Sequence, residues 1–131
     1  MVSVTNVSAA IIKNEKGEIL ICQRGEGGSC AFLWEFPGGK EEEAESPESC
    51  LIRECREELS VCIEVNRLFL TTFYSYPDGD LYFSFFYATI VSGSLNMKVH
   101  RALKWVLPCE LENHNFCPAD TTVIRRLASL G

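Results

Sequence analysis

Residues 41–58 hold eight carboxylates and two arginines, a local charge of −6 that equals the charge of the whole 131-residue chain. The remainder is balanced, so this is a neutral domain with one concentrated acidic segment. That segment follows Pro37-Gly38-Gly39 and contains Ser46-Pro47, a helix start with Ser at the N-cap and Pro in the first turn. A helix is therefore expected over Pro47 to Leu59. At 100° per residue, Glu54, Glu57 and Glu58 share an arc of about 100°, bordered by an apolar face of Leu51, Ile52, Cys55 and Leu59. Such a helix can dock on a sheet and present its acids at the edge of the contact.

Carboxylates spaced i, i+3, i+4 repel one another, by a few tenths of a kcal/mol per exposed pair. Two readings are open on periodicity alone: a solvated acidic face partly neutralised by Arg53 and Arg56, or a site for a hard divalent cation such as Mg²⁺, which takes oxygen ligands.

The rest of the chain predicts one domain over residues 1–131, α+β in type. Strands are expected at Val4–Ile12 and Glu18–Gln23, paired as an antiparallel hairpin through Asn14-Glu15-Lys16-Gly17. A glycine-rich loop, Gly25 to Cys30, precedes a short strand, Leu33 to Phe36, that Pro37-Gly38-Gly39 breaks. Two aromatic-rich strands, Cys62 to Tyr74 and Leu81 to Val91, flank a turn at Tyr76 to Asp80, and another strand surrounds Trp105. A last helix has Asp120 as N-cap and Val123, Ile124, Leu127 and Leu130 on one face.

Seven cysteines form an odd set with neither a C-x-x-C pair nor zinc-ligand spacing, and no apolar run reaches a membrane-spanning length. A reduced, cytoplasmic protein, monomer or homodimer, is expected, with no membrane partner. A basic footprint for duplex nucleic acid is missing.

The pattern Gly39, five residues, Glu45, seven residues, then Arg53-Glu54-Cys55-Arg56-Glu57-Glu58-Leu59-Ser60-Val61 closely resembles the Nudix box, here 39–61. Six matched positions, each of usage about one in fifteen, make a chance match on the order of one in ten million per start. Leu33-Trp34-Glu35-Phe36-Pro37-Gly38-Gly39-Lys40 is similar to the segment before the box in MutT-type nucleoside triphosphate pyrophosphohydrolases and CTP pyrophosphohydrolase.

The resemblance implies the Nudix fold, a mixed β-sheet sandwiched between α-helices. It also implies hydrolysis of a nucleoside triphosphate to a monophosphate and pyrophosphate, with Mg²⁺, or Mn²⁺ in its place, as cofactor. Glu54, Glu57 and Glu58 would be metal ligands, helped by the Gly38 carbonyl; Arg53 and Glu45 would orient them. Arg24 stands where those enzymes hold a phosphate-contacting Arg, and Asp120 where they read the base. Phe36, with Phe83 or Phe85, would line a base pocket, and Asp120 points to cytidine nucleotides first and oxidised purines such as 8-oxo-dGTP second.

Two positions depart from the pattern. Ser60 replaces the box Gly, which usually ends the helix in a left-handed conformation. Val99 replaces a Glu that serves as general base or extra ligand, which leaves Glu57 or Glu58 as the base and His100 as a further candidate. These departures also motivate a rival reading, a nucleotide-binding module that has lost turnover; another is a Nudix hydrolase of a different nucleoside diphosphate derivative.

Overall fold

The computed structural model describes residues 4–130. The ends of the expected domain, residues 1–3 and 131, lie outside the described residues. In chain order the elements are β1 (Val4–Ile12), β2 (Ile19–Gln23), β3 (Trp34–Glu35), β4 (Gly38–Lys40), α1 (Pro47–Leu59), β5 (Val61–Tyr76), β6 (Gly79–Gly93), β7 (Ala102–Val106), two 3₁₀ turns (Pro108–Asn113 and Pro118–Asp120) and α2 (Thr121–Leu130).

Two sheets form. One has the order β4-β1-β6-β5 and is mixed, with β1 and β6 parallel; the other, β3-β2-β7, is antiparallel. The expected hairpin of β1 and β2 is therefore corrected. Its turn exists: the Asn14 side-chain oxygen accepts from the backbone N–H of Lys16 and Glu18, and Lys13 bridges Ile19. Beyond that bridge the strands part. Residues 7–12 and 19–22 are buried without interruption, so each strand is central and has neighbours on both edges: β1 takes β4 and β6, β2 takes β3 and β7.

Alternation along these strands feeds two cores. Ala9, Ile11, Ile19, Ile21 and Phe85 join Val123, Ile124 and Leu127 of α2. Ala10, Ile12, Leu20, Cys22, Phe86 and Ala88 join Leu51, Cys55 and Leu59 of α1. The sheets thus lie between the two helices, the α+β sandwich the sequence implies. Full burial of Leu51 and Leu59 contributes about 1.5–3 kcal/mol each and fixes the rotation of α1. Leu130, expected on the apolar face of α2, is exposed.

Both ends of α1 are set locally. Ser46 accepts from the backbone N–H of Ser49 at 3.1 Å, with Pro47 opening the first turn. Ser60 closes it at φ 62°, ψ 30°, its N–H reaching the carbonyls of Arg56 and Cys55. Serine therefore does adopt the left-handed conformation that glycine usually supplies.

Candidate functional site

A cleft of about 820 Å³ opens between α1, β3, β4, the tip of the β5–β6 hairpin and the turn before α2. Its lining includes Arg24, Glu35, Gly38, Gly39, Glu54 and Glu58 together with Phe36, Phe83 and Asp120.

The acidic wall is built by close approach. A Cβ on Gly38 would overlap the carbonyl oxygen of Ser8, so β4 lies tight against β1. A Cβ on Gly39 would sit 2.6 Å from Cδ of Glu54 and 2.7 and 2.8 Å from its oxygens. The carboxylate of Glu54 therefore rests on the bare backbone of Gly39, which ties the loop before the helix to the helix itself.

Arg53 organises the acids. Its Nε and Nη2 donate to the two oxygens of Glu45 at 2.7 and 2.9 Å, a bidentate pair, while Nη1 donates to Glu54 at 2.8 Å and lies 3.5 Å from Glu57. Hydrogen bonding to Arg53, then to the Glu42 backbone N–H, pulls the Glu45 carboxyl down to about 2. Glu58 goes the other way. Burial, and then the charge of Glu54, push it up to about 7. Glu57 does not line the cleft; its side chain is mostly exposed beside Arg53.

Among the described residues no three His, Cys, Asp or Glu side chains converge tightly enough to hold a metal ion. The reason is visible: Glu54 and Glu57 are turned toward Arg53. The donor chemistry nevertheless fits a hard divalent cation, because the acidic wall offers carboxylate and carbonyl oxygens, and the Glu54 charge that adds to burial in raising Glu58 is a field a cation relieves.

In the same cleft Asp120 is buried, 4% exposed, and no hydrogen bond to its carboxyl is found among the described residues. The expected N-cap bond to α2 is thus absent; Asp120 closes the 3₁₀ turn instead, its N–H donating to the Cys117 carbonyl. Burial, then the nearby charge of Glu35, push its carboxyl well above the usual range. Phe36 packs edge-on against Phe85, and Phe83 stacks on Phe85 at 5.7 Å. Of the two phenylalanines weighed for a base pocket, Phe83 lines the cleft while Phe85 is wholly in the core.

His100 and Val99 stand apart. Val99 is exposed and lines no part of the cleft. The His100 side chain, 5% exposed, lies behind Glu35, with Nε2 3.1 Å from Oε2 of that residue. Glu35 is the site residue that sequence reasoning passed over. Its other oxygen accepts from Arg24 Nη1 at 3.0 Å. The signal was a lone charge between Trp34 and Phe36, on the strand face opposite the Trp.

The sequence model of the NUDIX domain matches residues 3–127. An 8-oxo-dGTP diphosphatase of Haemophilus influenzae is 34% identical over 124 residues, 95% of this chain and 91% of that protein. The CTP pyrophosphohydrolase of Escherichia coli is 33% identical over 124 residues, again 95% of this chain and 91% of its own length. The solution structure of the E. coli ORF135 protein superposes with a TM-score of 0.85 at 31% identity, covering 98% of this chain and 91% of that one.

Proposed function

Because this chain belongs to the Nudix family of hydrolases, in its MutT-like group, we propose that it is a Mg²⁺-dependent pyrophosphohydrolase that converts a nucleoside triphosphate to its monophosphate and pyrophosphate. The observation that carries this reading is that one cleft is lined both by Glu54, Glu58 and Arg24 and by the buried Asp120. That pairs groups suited to metal and phosphate with a group suited to a base.

Nudix hydrolases generally need divalent metal ions. Glu54, Glu58 and the Gly38 carbonyl would hold Mg²⁺, with Glu57 joining them on release from Arg53; Mn²⁺ would serve in the same oxygen set. The ion supplies charge neutralisation of the phosphates and a lowered pKa for the attacking water. The chain's own residues do the rest. Arg24 binds phosphate oxygens and offsets the charge they already carry in the bound substrate. Arg53, fixed by Glu45, holds the carboxylates in place. Glu58 lines the cleft and Glu57 does not, which favours a Glu58 oxygen as acceptor of the water proton.

A protonated Asp120 presents one donor and one acceptor. That pair matches N3 and the N4 amino group of cytosine, and equally the O6 and N1–H edge of an oxidised guanine. CTP or dCTP is the first substrate assigned and 8-oxo-dGTP the second. The acidic surface suits a free nucleotide, its phosphates offset by a metal ion, rather than a duplex. The seven cysteines are all free, in keeping with a reducing cytoplasm, and no helix among the described residues is long and apolar enough to cross a membrane.

Incubation with Mg²⁺ and a nucleotide panel, followed by product identification, tests the proposal. Monophosphate and pyrophosphate are expected. Orthophosphate as the product would overturn it, and binding without turnover would favour the sensor reading.

A further inference from the structure

We propose that His100 is a positioning residue, acting through Glu35 to hold Arg24 in place at the cleft, rather than a base for the attacking water. The inference rests on the phosphate role assigned to Arg24 above.

The three side chains form a line from the interior to the cleft. His100 is buried, Glu35 is 23% exposed and Arg24 is 42% exposed, and only the last two line the cleft. Glu35 uses both oxygens: Oε1 accepts from Arg24 Nη1 at 3.0 Å, and Oε2 faces His100 Nε2 at 3.1 Å. A carboxylate gripped at one oxygen swings about that bond; gripped at both, it is fixed, and so is the oxygen to which Arg24 donates.

The hydrogen-bond demands of the imidazole settle its tautomer. An ionised carboxylate only accepts, so Nε2 must carry the proton. Nδ1 is buried with no partner among the described residues. A proton there would be a buried donor without an acceptor, which is costly, so the ring is the Nε2–H form. Its one donor is then committed to Glu35, and its lone pair lies on a buried nitrogen that solvent does not reach. A base needs the reverse arrangement.

The backbone frame is equally specific. These residues sit on, or one or two residues beyond, the adjoining strands β3, β2 and β7. The Arg24 N–H donates to the Leu33 carbonyl at 2.9 Å, and the Arg101 N–H to the Gln23 carbonyl at 2.8 Å. The segments bearing Arg24, Glu35 and His100 are thereby pinned to one another. Among the described residues Arg24 Nε is buried without a partner, and the guanidinium's side-chain hydrogen bond is the one Nη1 makes to Glu35.

The roles separate in steady-state kinetics on the nucleotide that the protein turns over. A positioning role predicts that His100→Ala raises KM by about tenfold and leaves kcat within about twofold, because Arg24 grips phosphate in the ground state and the transition state alike. His100→Gln, whose amide still donates, should recover most of the lost affinity. The double variant Glu35→Gln with His100→Ala should bind no worse than Glu35→Gln alone, since the histidine acts only through the glutamate. A fall in kcat with KM unmoved would overturn the proposal in favour of a base, and wild-type kinetics in His100→Ala would overturn it outright.

If His100→Ala does not fold, His100→Gln and Glu35→Gln carry the same comparison. Imidazole ¹⁵N spectra need no turnover: they should show Nε2 protonated and Nδ1 bare, with the Nε2 signal moved in Glu35→Gln. A protein that hydrolyses no nucleotide but gives these spectra refutes the proposed function and leaves the contact standing; the Nδ1–H tautomer refutes the contact itself.

Discussion

Replacing Gly39 by alanine puts a methyl group where the Glu54 carboxylate now rests. The new Cβ would lie 2.6 Å from Glu54 Cδ, whereas ordinary contact begins at 3.4 Å, so the carboxylate must retreat by the difference, 0.8 Å. The atom that moves is the end of a flexible side chain, and the backbone at Gly39 has no positive φ to strain. Folding therefore loses little. Alanine gains about 0.4–1 kcal/mol by restricting the unfolded chain, and the disturbed Glu54–Arg53 ion pair gives back at most a similar amount. Activity should fare differently. A shift of this size in a group that positions the reacting centre costs on the order of 10²-fold in rate. The assay is pyrophosphate release under saturating nucleotide and Mg²⁺, beside thermal melts of both proteins. The expected result is a kcat lower by about 10²-fold with Tm within about 4 °C of wild type. A variant that keeps a third or more of wild-type kcat would show that Glu54 does not need its seat on Gly39, and the acidic wall would lose its role.

Three further outcomes are expected. Ser60→Gly should stabilise the protein by about 0.5–1 kcal/mol in a denaturant titration, since Ser60 holds φ 62° at the helix end; equal or lower stability would contradict the assigned strain. In metal-free protein Glu58, raised from 4.5 to about 7, contributes stability that is full below pH 4.5 and is lost as pH rises through 7. Glu58→Gln should flatten that part of the stability–pH curve, and a slope that survives the substitution would refute the assignment. Asp120→Asn should change the ratio of kcat/KM for CTP to that for 8-oxo-dGTP by at least about tenfold, the scale of a hydrogen bond gained or lost in a buried pocket; an unchanged ratio removes Asp120 from base reading.

What could be read in the chain beforehand divides along the distance over which the information acts. The span of α1, its Ser46 cap and its left-handed end at Ser60 depend on residues within a turn or two, and the structure returns each where the sequence puts it. The acidic wall was legible for a related reason: Gly39, Glu45, Arg53 and Glu54 meet through a loop and one helix, so their spacing encodes the contact. The β1–β2 hairpin misled because its turn is real, yet strands buried on both faces must recruit partners from far along the chain.

Glu35 and His100 lie 65 residues apart and meet only because β2 has β3 on one edge and β7 on the other. No local pattern records that order. It follows from the same full burial of β2 that broke the hairpin, since a strand with both faces covered leaves both edges to be filled. The feature that defeated the simplest topological expectation is thus the one that carries a buried histidine to the glutamate holding Arg24. Any change that lets β2 shed β7 should loosen Arg24 without touching a residue of the cleft.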